Sequence, residues 1–160
     1  MGPRDRIRPA VPADLNRIVE IENASFGQEA YDRKLFADYL LRCGKLFVVL
    51  ERGRRVHAYM ITCMRGHAPG SKAELVSVAV DPAARQTGAA AALLNSTLRR
   101  LRRRGATRLH LVVRVTNGPA RALYEKYGFR RVRVVRGYYE DGGDGISMSR
   151  PVGAVAKPKH

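Results

Sequence analysis

Arg85-Gln86-Thr87-Gly88-Ala89-Ala90 stands where the fold of this chain is decided. Ahead of it, Glu74 to Val80 is rich in β-branched residues and stopped by Asp81-Pro82, the pattern of a buried strand. Behind it, from about Gly88 to Arg104, Ala90, Leu94, Leu98 and Leu101 recur at helical spacing. A chain turning from strand into helix aims several backbone N–H groups at one spot, and the helix's positive end adds to their pull on an anion. Small residues at Gly88, Ala89 and Ala90 let a phosphate approach the backbone closely. A glycine at a helix start is also an ordinary cap, so the turn alone leaves an anion site and a plain helix start both open.

Working outward, Leu109 to Val115 is a second buried-looking strand, so residues 74–115 form a strand–helix–strand crossover. Asn117-Gly118-Pro119 opens a helix that reaches Tyr127 and stops at Gly128. Arg130 to Tyr139 and Gly145 to Arg150 read as an antiparallel pair. On the other side, Leu46 to Glu51 and Val56 to Cys63 flank Arg52-Gly53-Arg54-Arg55 as a hairpin, and Arg6 to Pro9 is an edge strand. Pro12-Ala13-Asp14 opens a helix striped by Leu15, Ile18, Val19 and Ile21. A second helix, roughly Tyr31 to Arg42, carries Leu35, Phe36, Tyr39 and Leu40 on one face and is closed by Gly44. The expected architecture is α/β: a twisted mixed sheet of six or seven strands flanked by about four helices. It occupies one domain over residues 1–150, with 151–160 a flexible basic tail.

A chain of 160 residues suits a single domain, and 45% hydrophobic with 28% charged residues is ordinary for a soluble globular protein. No apolar run approaches the ~20 residues that span a bilayer, and Met1 to Ala10 lacks the apolar core of a secretory signal, so a cytoplasmic protein without a membrane partner is expected. Cys43 and Cys63 have no metal-ligand spacing and are expected as reduced thiols, with no metal site. Thirty Lys and Arg against fourteen Asp and Glu give +16. Such a field draws polyanions, so contact with nucleic acid or a ribosome stays open beside a merely solvated basic surface. Arg99, Arg100, Arg102, Arg103 and Arg104 suit a helix C-terminus, while Arg130, Arg131, Arg133 and Arg136 form a second run. Neither run is interleaved with aromatics of a base-stacking kind. Nothing in the sequence separates a monomer from a homodimer.

Two motifs at a set separation narrow the function. Arg85, Gly88 and Ala90 match an Arg/Gln-x-x-Gly-x-Gly/Ala turn, and Asn117, Ala120, Leu123, Tyr124, Gly128 and Phe129 match an Asn-x-x-Ala-x-x-Leu-Tyr-x-x-x-Gly-Phe helix. Together they resemble the GNAT superfamily of acetyl-coenzyme A-dependent N-acetyltransferases. The resemblance implies that Arg85, Gln86, Thr87, Gly88, Ala89 and Ala90 bind the cofactor's pyrophosphate through backbone N–H groups. It implies that Val78, Ala79 and Val80 pair with the pantetheine arm, that Asn117 and Ala120 lie beside the cofactor, and that Tyr124 protonates the leaving thiolate. Tyr124 has a plainer reading as a core tyrosine, since Ala120, Leu123 and Tyr127 share its helix face.

Tyr138-Tyr139-Glu140-Asp141-Gly142-Gly143-Asp144, before Ile146 and Met148, resembles the substrate hairpin of protein N-terminal acetyltransferases, including the ribosomal-protein alanine branch, with Gly145 in place of the usual alanine. The resemblance implies a peptide or protein N-terminus as acceptor, with lysine side chains or small amines such as polyamines as the alternative. A catalytically impaired acetyl-CoA-binding module that binds RNA or ribosomes is a third reading. Tyr138 and Tyr139 would overhang the acceptor, and Phe26 and Tyr31 would wall its other side. The ribosomal-protein branch carries Leu-Glu-Val-Arg where this chain has Leu111-Val112-Val113-Arg114, so that carboxylate is missing. Glu74, in Ala73-Glu74-Leu75-Val76, resembles the catalytic glutamate of the histone-acetyltransferase branch and is either the base or a solvated strand-entry charge; Glu22 and His110 are weaker candidates. A weak base suffices best for an α-amine. With a pKa near ~7.8, roughly a quarter of such amines are neutral at pH ~7.4, against about 0.1% for a lysine.

Overall fold

The computed structural model describes residues 5–27 and 30–153. Along the chain run β1 (Asp5–Pro9), α1 (Leu15–Phe26), α2 (Arg33–Cys43), β2 (Phe47–Arg52), β3 (Arg55–Met64), β4 (Ala73–Val80), α3 (Ala89–Arg103), β5 (Arg108–Arg114), α4 (Gly118–Lys126), β6 (Arg130–Val135) and β7 (Gly145–Pro151). The strands form one sheet in the order β1-β2-β3-β4-β5-β7-β6, antiparallel throughout except where the α3 crossover makes β4 and β5 parallel. This is the mixed α/β sheet that the strand and helix periods predict.

Period-two alternation divides the core between the two faces of the sheet. Val48 and Leu50 of β2 pack with Leu93, Leu98 and Leu101 of α3, while Phe47 and Val49 join Ile18 and Ile21 of α1 and Phe36 of α2. On the second face Phe36, Phe47 and Tyr59 meet with ring centroids 5.6–6.3 Å apart. Each such buried aromatic removes enough apolar surface to contribute about 2 kcal/mol or more.

Asp14 locks the entry to α1. Its carboxylate takes a two-pronged bond from Arg8 (2.8 and 2.9 Å) and a third from the Val11 N–H (2.8 Å). Burial pushes the carboxyl upward, but the Arg8 fork and the Val11 N–H outweigh it and hold the group below its ordinary value. A depressed folded-state value means stability that is complete above the unfolded carboxyl's range near ~4 and lost as pH falls through it. Urea unfolding of the wild type is therefore expected to weaken between about pH 5 and pH 3. Asp14→Asn should be about 2 kcal/mol less stable at pH 7 and show a flatter acid limb.

Two expectations need correction. Cys43 and Cys63 are not separate thiols but a disulfide, joining the last residue of α2 to β3 with Cα atoms 4.7 Å apart. A separation of 20 residues carries no sign of this proximity, which arises because α2 lies across the outer face of β3. The fold also continues past Arg150. Pro151 closes β7, and Val152 is fully buried, with its N–H bonded to the Thr107 carbonyl (2.9 Å). The expected tail over 154–160 lies outside the described residues.

Candidate active site

Among the described residues, β4 and β5 pair only at Ala73↔Leu109 and Glu74↔His110. Beyond that point β5 keeps its partner on the far side, β7, over its whole length. The parallel strands therefore splay, and residues 75–80 of β4 present an edge of backbone donors and acceptors to the gap. On its other side β4 is bulged: pairing passes from Ile61↔Ser77 to Thr62↔Leu75, leaving Val76 as the extra residue. The bulge switches the side-chain sense, since Leu75 and Val78 pack with the α3-side core and Val76 with the α1/α2 core. Val78, Ala79 and Val80 thus lie along the splayed edge.

The turn at the mouth of this gap is built by side chains that leave the amides from Gln86 onward alone. Asp81 is paired with Arg17 and accepts from the Ala83 N–H (3.2 Å). Arg85 folds back, donating Nε to the Val80 carbonyl and Nη2 to Ser25 Oγ, both at 3.2 Å. Thr87 Oγ1 donates to the Ala84 carbonyl (2.5 Å). Gln86 and Gly88 then take left-handed backbone angles, φ 64° and 82°. Gly88 is the N-cap of α3 with no side-chain cap and no acidic residue in the first turn. Helical bonding across this start begins with the Ala92 N–H on the Gly88 carbonyl (3.0 Å), so the amides just before it are the ones a helix start leaves for an anion. A Cβ built on Gly88 meets nothing within 4 Å, so the approach to these amides is open.

Between turn and splay lies a small apolar pocket lined by Val78, Ala90, Leu94, Leu123, Tyr124 and Phe129, among others. The residues present fit acetyl-CoA: amides for a pyrophosphate, a free strand edge for an amide-bearing arm, and an apolar recess. Asn117 caps α4, its Oδ1 accepting from the Ala120 N–H (3.2 Å), and Ala120 packs inward. Tyr124 is half-buried with its ring edge-on to Phe129 (5.7 Å), and its hydroxyl makes no hydrogen bond to another described residue. Burial foremost, with Tyr139 adding to it, pushes the phenol up to about 12. The far end of α4 is held by a residue that sequence reasoning missed. Arg150, 7% exposed, donates Nη1 to the Tyr127 carbonyl (2.6 Å). Its signal as an arginine on a sheet interior was indistinguishable from the chain's many surface arginines.

The opposite side of the gap is tyrosine-rich. Tyr138 and Tyr139 meet edge-to-face at 5.0 Å, and the Arg114 guanidinium stacks 4.0 Å above Tyr139 while pairing with Asp141 (3.1 Å). The Val115 N–H bonds the Asp144 carbonyl (3.0 Å), fastening the hairpin to the end of β5. Burial chiefly, then the neighbouring Tyr39, Glu22, Tyr138 and Tyr139, push the Tyr31 phenol up to about 12, so Tyr31 lies within electrostatic reach of the hairpin tyrosines. Phe26 stands at the end of α1, 41% exposed, and takes no part in the ring contacts. Glu74 is half-buried, ion-paired with Arg65, and beside His110 where the splay begins. Burial chiefly, then Lys72, Arg108 and Arg65, hold the His110 imidazole below its ordinary value.

Val112 and Gly145 occupy one another's space. A Cβ on Gly145 would stand 2.5 Å from Val112 Cγ1 and 3.5 Å from both Tyr138 and Tyr139 side chains. Gly145→Ala is therefore expected to cost about 1–3 kcal/mol in urea unfolding. The double variant Gly145→Ala/Val112→Ala should recover most of it, and equal losses in single and double variants would deny the coupling.

Comparison with known proteins agrees with this geometry. The Acetyltransferase (GNAT) family matches residues 15–129. The N-alpha-acetyltransferase of Sulfolobus acidocaldarius is 33% identical over 156 residues, covering 92% of each chain. Ard1 from Thermoplasma volcanium superposes with a TM-score of 0.83 at 25% identity, covering 92% of this chain and 97% of that one. The NatB acetyltransferase complex bound to CoA gives 0.78 at 25% identity, covering 91% and 98%. With the splayed strands, the uncapped glycine turn and the Asn117–Tyr124 helix in place, the chain is a member of the GNAT family of acetyltransferases.

Proposed function

We propose that the protein transfers an acetyl group from acetyl-CoA to the α-amine of a peptide or protein N-terminus. The observation that carries this reading is the mouth lined by Tyr138 and Tyr139, held by their hairpin at the end of β5 where β4 and β5 have parted, with the Tyr31 phenol within electrostatic reach of both. Such a mouth admits an extended chain end. The Sulfolobus relative, similar over nearly the whole chain, is named for N-alpha transfer. Acetyl-CoA, when bound, supplies an acetyl thioester open to attack by an amine.

The chain's own residues then have separable tasks. Residues 85–90 hold the pyrophosphate, residues 78–80 align the arm with Ala120 beside it, and Asn117 holds the α4 start. The bulge at Val76 offers a backbone donor where negative charge develops on the acyl oxygen. Glu74 takes the ammonium proton, directly or through one water, while Val112 places no carboxylate on β5. An α-amine, already partly neutral, tolerates a base that Arg65 holds as an ion pair; a lysine does not. No helix among the described residues is long and apolar enough to cross a membrane.

The test is CoA-thiol release with three acceptors: a lysine-free peptide with a free N-terminus, an N-blocked peptide with one lysine, and spermidine. Turnover confined to the first is expected. Turnover on the second or third alone overturns the N-terminal reading.

A further inference from the structure

A carboxylate that the chemistry above leaves unused lies inside α1. Glu22 is 1% exposed, on a helix whose packing is already supplied by Leu15, Ile18 and Ile21. Burying a carboxylate costs several kcal/mol unless its oxygens are well satisfied, so its two bonds identify its task. One oxygen accepts the Tyr31 backbone N–H (2.8 Å); the other accepts the Tyr59 hydroxyl. That hydroxyl also meets Ser77 Oγ at 3.1 Å, and Ser77 directly follows the bulge residue Val76. Tyr59 lies on β3, Ser77 on β4, and Tyr31 on the segment leading into α2. Three separate pieces of chain therefore converge on one buried carboxylate, and none of these bonds is internal to a helix or strand.

We propose that Glu22 is a positioning residue that ties the acceptor-side wall at Tyr31 to the bulged strand through Tyr59 and Ser77. This rests on the N-terminal acceptor reading above. Without the carboxylate, Tyr31 loses the acceptor for its N–H, and the wall loses its fixed height above the bulge. The pyrophosphate turn and Tyr124 take no bond from this network, and the Val76 bulge is held by the β3–β4 ladder itself, so cofactor affinity and the chemical step are left alone.

The experiment compares wild type, Glu22→Gln and Tyr59→Phe. It measures KM and kcat for the lysine-free α-amino peptide, the acetyl-CoA Kd, and hydrogen exchange at the Tyr31 amide. Peptide KM is expected to rise about tenfold in Glu22→Gln and about threefold in Tyr59→Phe, with kcat and Kd within about twofold. Exchange at Tyr31 is expected to quicken by about tenfold or more in Glu22→Gln. Tyr59→Phe deletes only an oxygen and keeps the test alive if the first variant does not fold. Unchanged peptide KM in the variants, or a Kd that climbs in step with KM, overturns the proposal, as does an exchange rate equal in wild type and variant. Failure of the acceptor reading is a different result: wild type itself then turns over no α-amino peptide, and the proposal falls with it.

Discussion

Tyr124→Phe lowers turnover on an α-amino peptide by about a hundredfold while leaving the acetyl-CoA Kd within about twofold. The ring is retained, so its packing on Phe129 survives; only the hydroxyl goes. That hydroxyl has no hydrogen-bond partner among the described residues, and burial holds its proton up to about pH 12. A phenol so raised is some 3 units weaker as an acid than a thiol near ~8.5, so it stabilises a developing thiolate chiefly by donating a hydrogen bond and gives up its proton last. The sign of the shift sets the pH dependence. With a folded value above the ordinary ~10, the neutral donor persists through the alkaline range, so kcat should show no falling limb from this group between about pH 8 and pH 10. A limb near 10 that vanishes in Tyr124→Phe would mean the phenol is open to water. A rate unaffected by the substitution would remove Tyr124 from the chemistry.

Gly88→Val raises the acetyl-CoA Kd by roughly 30-fold, measured by calorimetry, with a smaller rise for Gly88→Ala. The glycine sits at φ 82°, where a β-branched residue is strained by about 1–3 kcal/mol. Where that strain appears depends on the surroundings. Nothing lies within 4 Å of a Cβ at this position, so the turn is free to relax to another backbone angle. The cost then falls on binding, which needs the amides of residues 85–90 gathered on one spot, and the melting temperature moves little. An unchanged Kd in Gly88→Val would deny the turn its anion-holding role. Gln86, also left-handed at φ 64°, shows that the turn is wound for converging amides over more than one residue.

Much of this was legible in the chain because the deciding signals are local. The β-branched run over 74–80, the small residues at 88–90 and the Asn117-Gly118-Pro119 helix start each act through backbone geometry within a few residues. The strand and helix order, the hairpin at Gly53 and the seven strands within the expected six or seven follow from the same periodicities. Most element ends moved by one or two residues, β6 stopped four residues short at Val135, and Val152 joined the core beyond the expected boundary at 150, because burial of a single apolar residue after a proline leaves no periodic trace.

What the sequence by itself determined is the strand–turn–helix on which the proposed anion site rests, the crossover that makes β4 and β5 parallel, and the chemistry of the residues at the mouth. Tertiary structure alone decided that β4 and β5 part after two pairs, that Val76 is the bulge, and that Tyr31 comes within electrostatic reach of Tyr138 and Tyr139. It alone joined Cys43 to Cys63 and set Val112 against Gly145. It also turned Glu22, a polar residue on a helix stripe, into the meeting point of three chain segments. Local propensity acts over a few residues and is written in their order. Partners separated by 20 to more than 100 positions are selected by how two layers of helix close over a twisted sheet, and no spacing along the chain encodes that distance.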